Sequence, residues 1–252
     1  MKGFYFQRPF EYHLVAEGEE WEQGGRICGT IRVKNTESEK VDSNSLQIGL
    51  AYGNFKKIKD REDDAWKEIQ TEVLAESLNF APEEEREFEW GFFLASDCPI
   101  TDKSGSLFLL YGDGDLYSQG RIDVRMNLMP ILQSFLQTFE TQFRFQKKYE
   151  KSNLEFTEVK LVPPDSKDFP TLDHVLCYLR IHEEKMEIRY SFKMKSLGVK
   201  GDKSSLKVAR KKREYQQQFT QEQYAQGGFP NRDFFRQSIQ EAIEIAKPDV
   251  LF

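Results

Sequence analysis

Apolar residues recur at every second position along much of this chain, and this alternation constrains the fold more than any other feature. It runs through residues 26–33 (RICGTIRV), 46–52, 88–94 and 122–128. A period of two is the pattern of a β-strand that buries one face. Leu107–Tyr111 is apolar at every position, which predicts a central strand covered on both faces. The chain is therefore predicted to be mostly β.

A change of period marks the end of this first group of strands. From Pro130, apolar side chains recur at helical spacing, at Ile131, Leu132, Phe135, Leu136 and Phe139. Because proline suits the first turn of a helix, a short amphipathic helix is predicted here. Alternation resumes through residues 143–161, with a change of phase near Glu158 that predicts a β-bulge. Two further strands, Val175–Ile181 and Ile188–Met194, are predicted to form a hairpin.

A second amphipathic helix is predicted near the end of the sequence. Asn231 is a suitable N-cap for it, and Pro248 marks its stop. Its apolar stripe comprises Phe235, Ile239, Ala242, Ile243 and Ala246. Such a stripe is covered either by the chain itself or by a partner. Phe235, Ile239 and Ile243 are therefore candidate partner-binding residues if the stripe faces outward.

One short stretch is strongly basic within an acidic chain. Residues 199–213 carry seven Lys or Arg against one Asp, whereas the whole chain has a formal net charge of -6. The candidate binding residues in this stretch are Lys207, Arg210, Lys211, Lys212 and Arg213. They could contact phosphates or form a solvated face, and neither a strand nor a helix period fits the segment well. Because the acidic remainder of the chain would repel a polyanion, an acidic partner protein is favoured over nucleic acid.

The sequence lacks the motifs of the common enzyme and metal sites. It contains no GxSxG, Walker or HExxH motif, so the chain is predicted not to be an enzyme. The histidines and cysteines have no ligand-like spacing, so neither a metal nor a cofactor is predicted. The turn at Asp113–Asp115 resembles a calcium loop, but Tyr117 and Val124 occupy positions where oxygen ligands are required. A turn between strands is the favoured interpretation.

Cysteine usage and hydropathy indicate where the protein resides. Cys28, Cys98 and Cys177 are odd in number and widely separated, so reduced thiols are expected rather than disulfides. The first twenty residues lack the continuous apolar segment of a secretory signal. The longest apolar run, Leu107–Tyr111, is too short to span a bilayer. A cytoplasmic location is therefore predicted.

Three stretches resemble the bacterial sporulation-control proteins that have an arrestin-like fold. Gln23–Val33 (QGGRICGTIRV) is similar to the strand signature of arrestin-like domains, with Gln23 where proline is usual. Phe88–Thr101 (FEWGFFLASDCPIT) is similar to an aromatic strand followed by Pro and then Ser or Thr. Gly112–Leu136 (GDGDLYSQGRIDVRMNLMPILQSFL) is similar to the acidic loop, interdomain strand and helix of these proteins. The resemblance continues through Leu154–Lys195 and the C-terminal helix.

The resemblance implies two tandem arrestin-like (immunoglobulin-like) β-sandwich domains with a short linking helix and a C-terminal α-helix. The implied domains are residues 1–128 and 129–225, followed by a helical tail over residues 226–252. The resemblance also implies a cytoplasmic regulatory or scaffolding role linked to sporulation or the cell cycle. It carries no catalytic residues to this chain.

The leading hypothesis is a non-enzymatic regulator that binds protein partners through sheet edges or a groove between its sandwiches. The alternative is a peripheral membrane or nucleic-acid binder that uses the basic stretch Lys207–Arg213. A third hypothesis is an enzyme whose site no motif marks. A homo-oligomer is compatible with the sequence, which does not identify the partner.

Overall fold

A computed structural model describes residues 1–152, 155–198 and 207–246, without the side chains of residues 195–198, 207–210 and 246. The chain divides into two compact units, Met1–Asn127 and Leu128–Phe252. Strands dominate the secondary structure. The predicted mostly β class is therefore confirmed.

Two sheets build the first unit, in which every residue is described. The first sheet consists of β1 (Lys2–Gln7), β2 (Phe10–Ala16), β4 (Arg26–Asn35) and β7 (Glu85–Phe93), in the order β1-β2-β4-β7. The second consists of β3 (Glu20–Glu22), β5 (Val41–Asn54), β6 (Trp66–Phe80), β8 (Gly105–Asp113) and β9 (Gly120–Asn127), in the order β3-β9-β8-β5-β6. Helix α1 (Phe55–Asp60) and a 3₁₀ turn (Leu116–Ser118) connect some of these strands.

The two sheets of the first unit enclose one hydrophobic core and thus form a β-sandwich. Tyr12 and Ile31 from the first sheet join Leu50, Leu109 and Val124 from the second in a single buried cluster. The strands predicted from alternation all form. Strand β8 lies between β9 and β5 and is buried at nearly every position, which confirms the prediction of a central strand at Leu107–Tyr111.

Two residues of the sequence motifs in the first unit, Gln23 and Thr101, hydrogen-bond separate segments of the chain to each other. The buried side chain of Gln23, which stands where proline is usual, donates from Nε2 to the carbonyl oxygen of Cys98 at 2.6 Å. The hydroxyl of Thr101 donates to the carbonyl oxygen of Val124 at 3.1 Å and accepts from the amide of Met126 at 2.9 Å. Thr101 thus fastens the segment after β7 to strand β9.

One five-stranded sheet and two long helices dominate the described part of the second unit. The sheet has the order β10-β11-β12-β13-β14 and consists of β10 (Gln146–Ser152), β11 (Thr157–Val162), β12 (Leu172–His182), β13 (Lys185–Gly198) and β14 (Lys207–Phe219). The helices are α2 (Pro130–Gln142), α3 (Gln221–Tyr224) and α4 (Arg232–Ala246), and β15 (Ala225–Gln226) pairs with β16 (Phe229–Pro230). None of the helices in the described ranges is long and apolar enough to cross a lipid bilayer.

The second unit differs from the predicted second β-sandwich. Helix α4 packs against β14 and α2 packs against α4, so helices cover the apolar face of the sheet within the described residues. The physical reason is the aromatic stripe on each helix. Phe135 of α2 meets Phe235 of α4 with ring centroids 5.4 Å apart. The apolar faces of the two helices thus cover the apolar face of the sheet, as a second sheet would in a sandwich.

In the second unit the predicted helix start, helix cap and hairpin are confirmed, whereas the predicted bulge is wrong. Helix α2 begins at Pro130 as predicted, and Asn231 Oδ1 caps α4 by accepting from the amide of Phe234 at 3.2 Å. The predicted hairpin forms as β12 and β13, with Glu183 and Glu184 both at positive φ in its turn. The predicted bulge near Glu158 is wrong, because β11 pairs with both neighbours there without a shift of register. Leu154 and Pro248 lie outside the described residues.

The three cysteines differ in accessibility to solvent. Cys98 and Cys177 are buried free thiols, whereas Cys28 is partly exposed and donates to Glu17 Oε2 at 3.6 Å. Burial, together with the negative charge of Glu17, raises the pKa of Cys28. In the native protein we expect Ellman's reagent to label Cys28 alone. Glu17→Gln should lower that pKa, shift the pH–rate profile to lower pH and accelerate labelling at pH 8 about threefold.

The matched control for this labelling experiment is Glu19→Gln, which removes the same charge from a carboxylate that does not bond Cys28. Its rate should equal that of the wild type. Labelling of a second thiol at a similar rate in the folded protein would contradict the burial of Cys98 and Cys177.

Candidate functional site

The candidate site lies on the five-stranded sheet of the second unit, on the face that is turned away from helices α2 and α4. Along β12 and β13, alternate residues such as Cys177 and Tyr190 are fully buried on the helix side. The intervening residues therefore occupy the opposite face. Tyr178 pairs with Arg189, and Arg189 pairs with Gln216 of β14. Directly paired residues share a face, so these three side chains lie side by side.

A cavity of about 560 Å³ opens on this face, and we call it the Ser191 cavity. Its lining includes Phe156, Tyr178, Arg189, Ser191, Lys212 and Glu214. Ser191 is 3% exposed, and its hydroxyl has no hydrogen-bond partner among the described residues. Serine is much smaller than the aromatic and charged side chains around it. The sheet is therefore recessed at Ser191, and a buried donor and acceptor remains available there.

An aromatic ring held between two cations forms one wall of the Ser191 cavity. The guanidinium groups of Arg180 and Arg189 lie 4.5 Å and 4.4 Å from the ring centroid of Phe156. Such cation–π contacts are strongest where water is excluded, and Phe156 is only 7% exposed. The ring fixes the position of Arg189 beside the cavity and presents a flat apolar surface next to polar groups.

Ion pairs balance the charge around the cavity. Glu187 accepts from Arg180 Nε at 2.9 Å and lies at 3.9 Å from the nearest nitrogen of Arg189. Lys212 pairs with Glu214. Because the contact between Glu187 and Arg189 is longer, Glu187 holds the guanidinium of Arg189 only weakly. The cavity is thus polar without a strong net charge, which suits a peptide better than a polyanion.

Tyr149 and Glu158 form a hydrogen-bonded pair on this face. Burial and the hydrogen bond to Glu158 raise the pKa of Tyr149 to about 12. Burial raises the pKa of Glu158, but hydrogen bonds from Tyr149 and Lys151 outweigh it and lower that pKa below its usual value. At neutral pH the tyrosine donates and the carboxylate accepts. In the described ranges, moreover, no group of three or more His, Cys, Asp or Glu side chains is placed to hold a metal ion.

Comparison with known proteins identifies the fold. A solved structure of Spo0M, the sporulation control protein from Bacillus subtilis, matches this chain with a TM-score of 0.68 at 14% sequence identity, covering 94% of this chain and 99% of that one. The chain shares the fold of Spo0M. The resemblance to the sporulation-control family is thus confirmed as a likeness of fold, which is all that 14% identity shows. No family model matches the chain, and no curated protein matches it.

In this Spo0M-like fold, the basic stretch is an edge strand. Residues Lys207–Phe219 form β14, which pairs with β13 and stands last among the described strands of its sheet. The question of strand or helix is thereby resolved in favour of a strand. The side chains of Lys207 and Arg210 lie outside the described residues. Lys212 reaches the Ser191 cavity, whereas Arg213 lies on the helix side and donates to the carbonyl oxygen of Ile245 at 2.9 Å.

The described basic side chains do not form one continuous patch. A strand turns successive side chains to opposite faces, so Lys211 and Arg213 are separated from Lys212. In addition, Lys212 is paired with Glu214 and Arg213 is bonded to a backbone carbonyl. The stretch therefore presents less charge to a phosphate than its sequence indicates.

The apolar stripe of α4 is part of the core, which corrects the prediction that it could contact a partner. Phe235 and Ile239 are fully buried and Ile243 is 5% exposed. Their neighbours are in this chain, since Phe235 packs on Phe135 and α4 contacts β14. Because the stripe is already covered, these three residues offer no surface to another molecule.

The structure adds site residues that the sequence did not single out. Phe156, Tyr178, Arg189 and Ser191 come from three segments of chain, and the register of β11, β12 and β13 brings them together. The one signal in the sequence was a serine between the apolar Tyr190 and Phe192, at a polar position of a strand. That signal is common in half-buried strands and does not predict a cavity.

Proposed function

We propose that this chain is a non-enzymatic regulatory protein that resides in the cytoplasm and acts by binding another protein. The support is the fold, shared along nearly the whole chain with a protein described as a sporulation control protein. The observation that carries the binding proposal is the Ser191 cavity next to the edge strand β14. A sheet edge and an adjacent pocket are the two elements of recognition by strand addition.

An added strand would engage both elements at once. The backbone groups on the outer side of an edge strand have no ladder partner within their sheet, so an extended peptide can bond to them. Lys212, Glu214 and Gln216 of the same strand line the cavity, so alternate side chains of the peptide would lie over it. The exposed Lys211 and Lys212 favour a partner segment with acidic residues opposite them. This preference agrees with the acidic partner favoured on charge.

The membrane or nucleic-acid alternative has less support. It requires several cations on one surface, whereas the described members of the basic stretch are divided between two faces. Lys212 is paired with Glu214, and Arg213 donates to the carbonyl oxygen of Ile245. It differs from the proposal in one measurable respect, because phosphate binding weakens much more steeply with salt than strand addition, in which backbone hydrogen bonds contribute to the affinity.

Selection from a random peptide library on the full-length chain tests the proposal. Selected peptides should be extended and acidic, and Ser191→Phe, which fills the cavity, should weaken their binding by at least about tenfold. Lys212→Glu should weaken the acidic peptides by a similar factor. Ser191→Ala keeps the cavity open, so it should change the affinity by no more than about threefold. Circular dichroism and thermal unfolding establish that each variant is folded.

Lys148→Glu is the matched control for charge, because Lys148 is exposed on β10 at the other edge of the sheet. It should bind the peptides as the wild type does. Equal binding by Ser191→Phe and wild type would refute the use of this cavity. Binding to anionic vesicles or duplex DNA that disappears between low and moderate salt would instead support the alternative.

A further inference from the structure

A second cavity, of about 240 Å³, lies between helices α2 and α4 and has only polar side chains around it. We call it the Ser134 cavity. From α2 it is lined by Ser134, Gln137, Thr138, Thr141 and Gln142, and from α4 by Arg232, Asp233 and Arg236. Such a lining excludes an apolar ligand, and the volume restricts the ligand to a small group.

A buried hydroxyl without a partner forms part of the cavity wall. Ser134 is 5% exposed, and its Oγ makes no hydrogen bond to any described residue. Its neighbour Thr138, by contrast, donates to the carbonyl oxygen of Ser134 at 2.9 Å. Burying an unbonded hydroxyl costs about 1–3 kcal/mol. A ligand oxygen that bonds Ser134 would remove that cost.

Two cations stand together at the same cavity. Arg232 and Arg236 are four residues apart and therefore on one face of α4. Neither makes a hydrogen bond or an ion pair within the described part of the chain, whereas most other arginines there are engaged by carboxylates or aromatic rings. Both belong to the beginning of a 15-residue helix, where the backbone dipole adds partial positive charge. Asp233 is the one acidic group of the lining.

We propose that the Ser134 cavity binds a phosphoryl group. Two guanidinium groups, a helix N-terminal turn and a buried hydroxyl are the donors that recognise a tetrahedral oxyanion. The glutamine amides of α2 can complete its hydrogen bonds. The chain as a whole has a net charge of -6, so general electrostatic attraction would not hold a phosphate at this site. This site is distinct from the Ser191 cavity and does not depend on the proposed function.

Titration calorimetry on the full-length protein, with inorganic phosphate as one ligand and N-acetyl-phosphoserine amide as the other, tests the site. Ionic strength is held constant with chloride. Arg232→Gln and Arg236→Gln should each weaken the affinity about tenfold, since each removes a charged hydrogen-bond donor. Tighter binding of the monoester would indicate a phosphorylated chain as the source, and tighter binding of inorganic phosphate a free anion.

Two substitutions separate binding from folding. Ser134→Ala should weaken phosphate binding severalfold while leaving the melting temperature equal or higher, because it removes an unbonded buried hydroxyl. Asp233→Asn should tighten binding about threefold by removing the adjacent negative charge. A gain of affinity cannot result from misfolding.

Lys148→Gln serves as the control for loss of a positive charge elsewhere in the second unit. It should leave phosphate affinity unchanged. The proposal fails if neither ligand binds saturably up to about 10 mM. It also fails if Lys148→Gln weakens binding as much as the arginine variants do, or if Ser134→Ala and Asp233→Asn leave the affinity unchanged.

Discussion

Replacing Phe235 by alanine is expected to destabilise the second unit by about 3–5 kcal/mol, the cost of removing a fully buried aromatic ring from a core. Phe235 is completely buried and meets the ring of Phe135 nearly perpendicularly, at 5.4 Å between centroids. Its neighbour Phe234 meets Phe219 of β14 at 4.8 Å. The substitution therefore opens a cavity where α4 joins α2 to the sheet.

Urea unfolding followed by circular dichroism measures this loss. The midpoint should fall while the dependence of the unfolding free energy on urea stays the same. Amide hydrogen exchange in α4 and β14 should accelerate, which assigns the effect to the second unit. Ile245→Ala is the matched control on the same helix, since Ile245 is 39% exposed. It should change the unfolding free energy by less than about 0.5 kcal/mol.

The opposite result would support the sequence-based prediction that the apolar stripe of α4 binds a partner. If Phe235→Ala kept its stability but lost the binding of selected peptides, the stripe would be an interaction surface. Amphipathic spacing alone could not distinguish the two cases, because it shows that a helix face is covered without showing what covers it. In this fold the covering groups come from β14 and from α2, and α2 is distant from α4 in sequence.

The sandwich of the first unit was largely predictable because its strands bury one face and expose the other. In β4 and β9, for example, Ile31 and Val124 are fully buried, while their neighbours Arg32 and Arg125 are exposed. Alternation of this kind is a direct consequence of the strand period. The pairing of strands was not predictable, since the register depends on contacts between distant parts of the chain.

The strand β14 escaped prediction because its buried face is polar. Gln217 is 7% exposed, yet it is fully hydrogen-bonded: its Oε1 accepts from Tyr190 at 2.8 Å and its Nε2 donates to the carbonyl oxygen of Ser238 at 3.1 Å. On the same face the partly buried Tyr215 donates to Glu241 at 2.7 Å. Buried polar groups satisfied in this way cost little, but they erase the hydrophobic alternation by which a strand is recognised.

The Ser191 cavity was missed for a related reason. In the sequence, Phe156 is part of the alternation that resumes through residues 143–161, and the change of phase near Glu158 predicts a bulge. In the structure β11 begins at Thr157, and Phe156 lies on the outer face between two arginines. Phe156 is therefore an apolar residue on a polar face, and two arginines cover it rather than the core. The period of the sequence does not predict such a contact.

Gly29→Ala is expected to destabilise the first unit by at least about 3 kcal/mol, at the upper end of single substitutions. A Cβ at this position would lie 1.9 Å from the carbonyl oxygen of Val15 and 3.0 Å from the Cα of Ala16. Both are backbone atoms of the adjacent strand β2, so no side-chain rotation relieves the clash. The two strands would have to separate at the pairs Ala16–Gly29 and Val15–Thr30.

Tryptophan fluorescence is a selective probe for this prediction, because the three tryptophans of the chain, Trp21, Trp66 and Trp90, all belong to the first unit. The urea midpoint by fluorescence should fall strongly in Gly29→Ala. Thr30→Ala, the next position on the same strand, should lose less than about 1 kcal/mol, because it changes only strand preference and a partly exposed side chain. A fluorescence midpoint for Gly29→Ala close to that of Thr30→Ala would mean that β2 and β4 separate at little cost, and the close backbone approach at Gly29 would then not be a requirement of this fold.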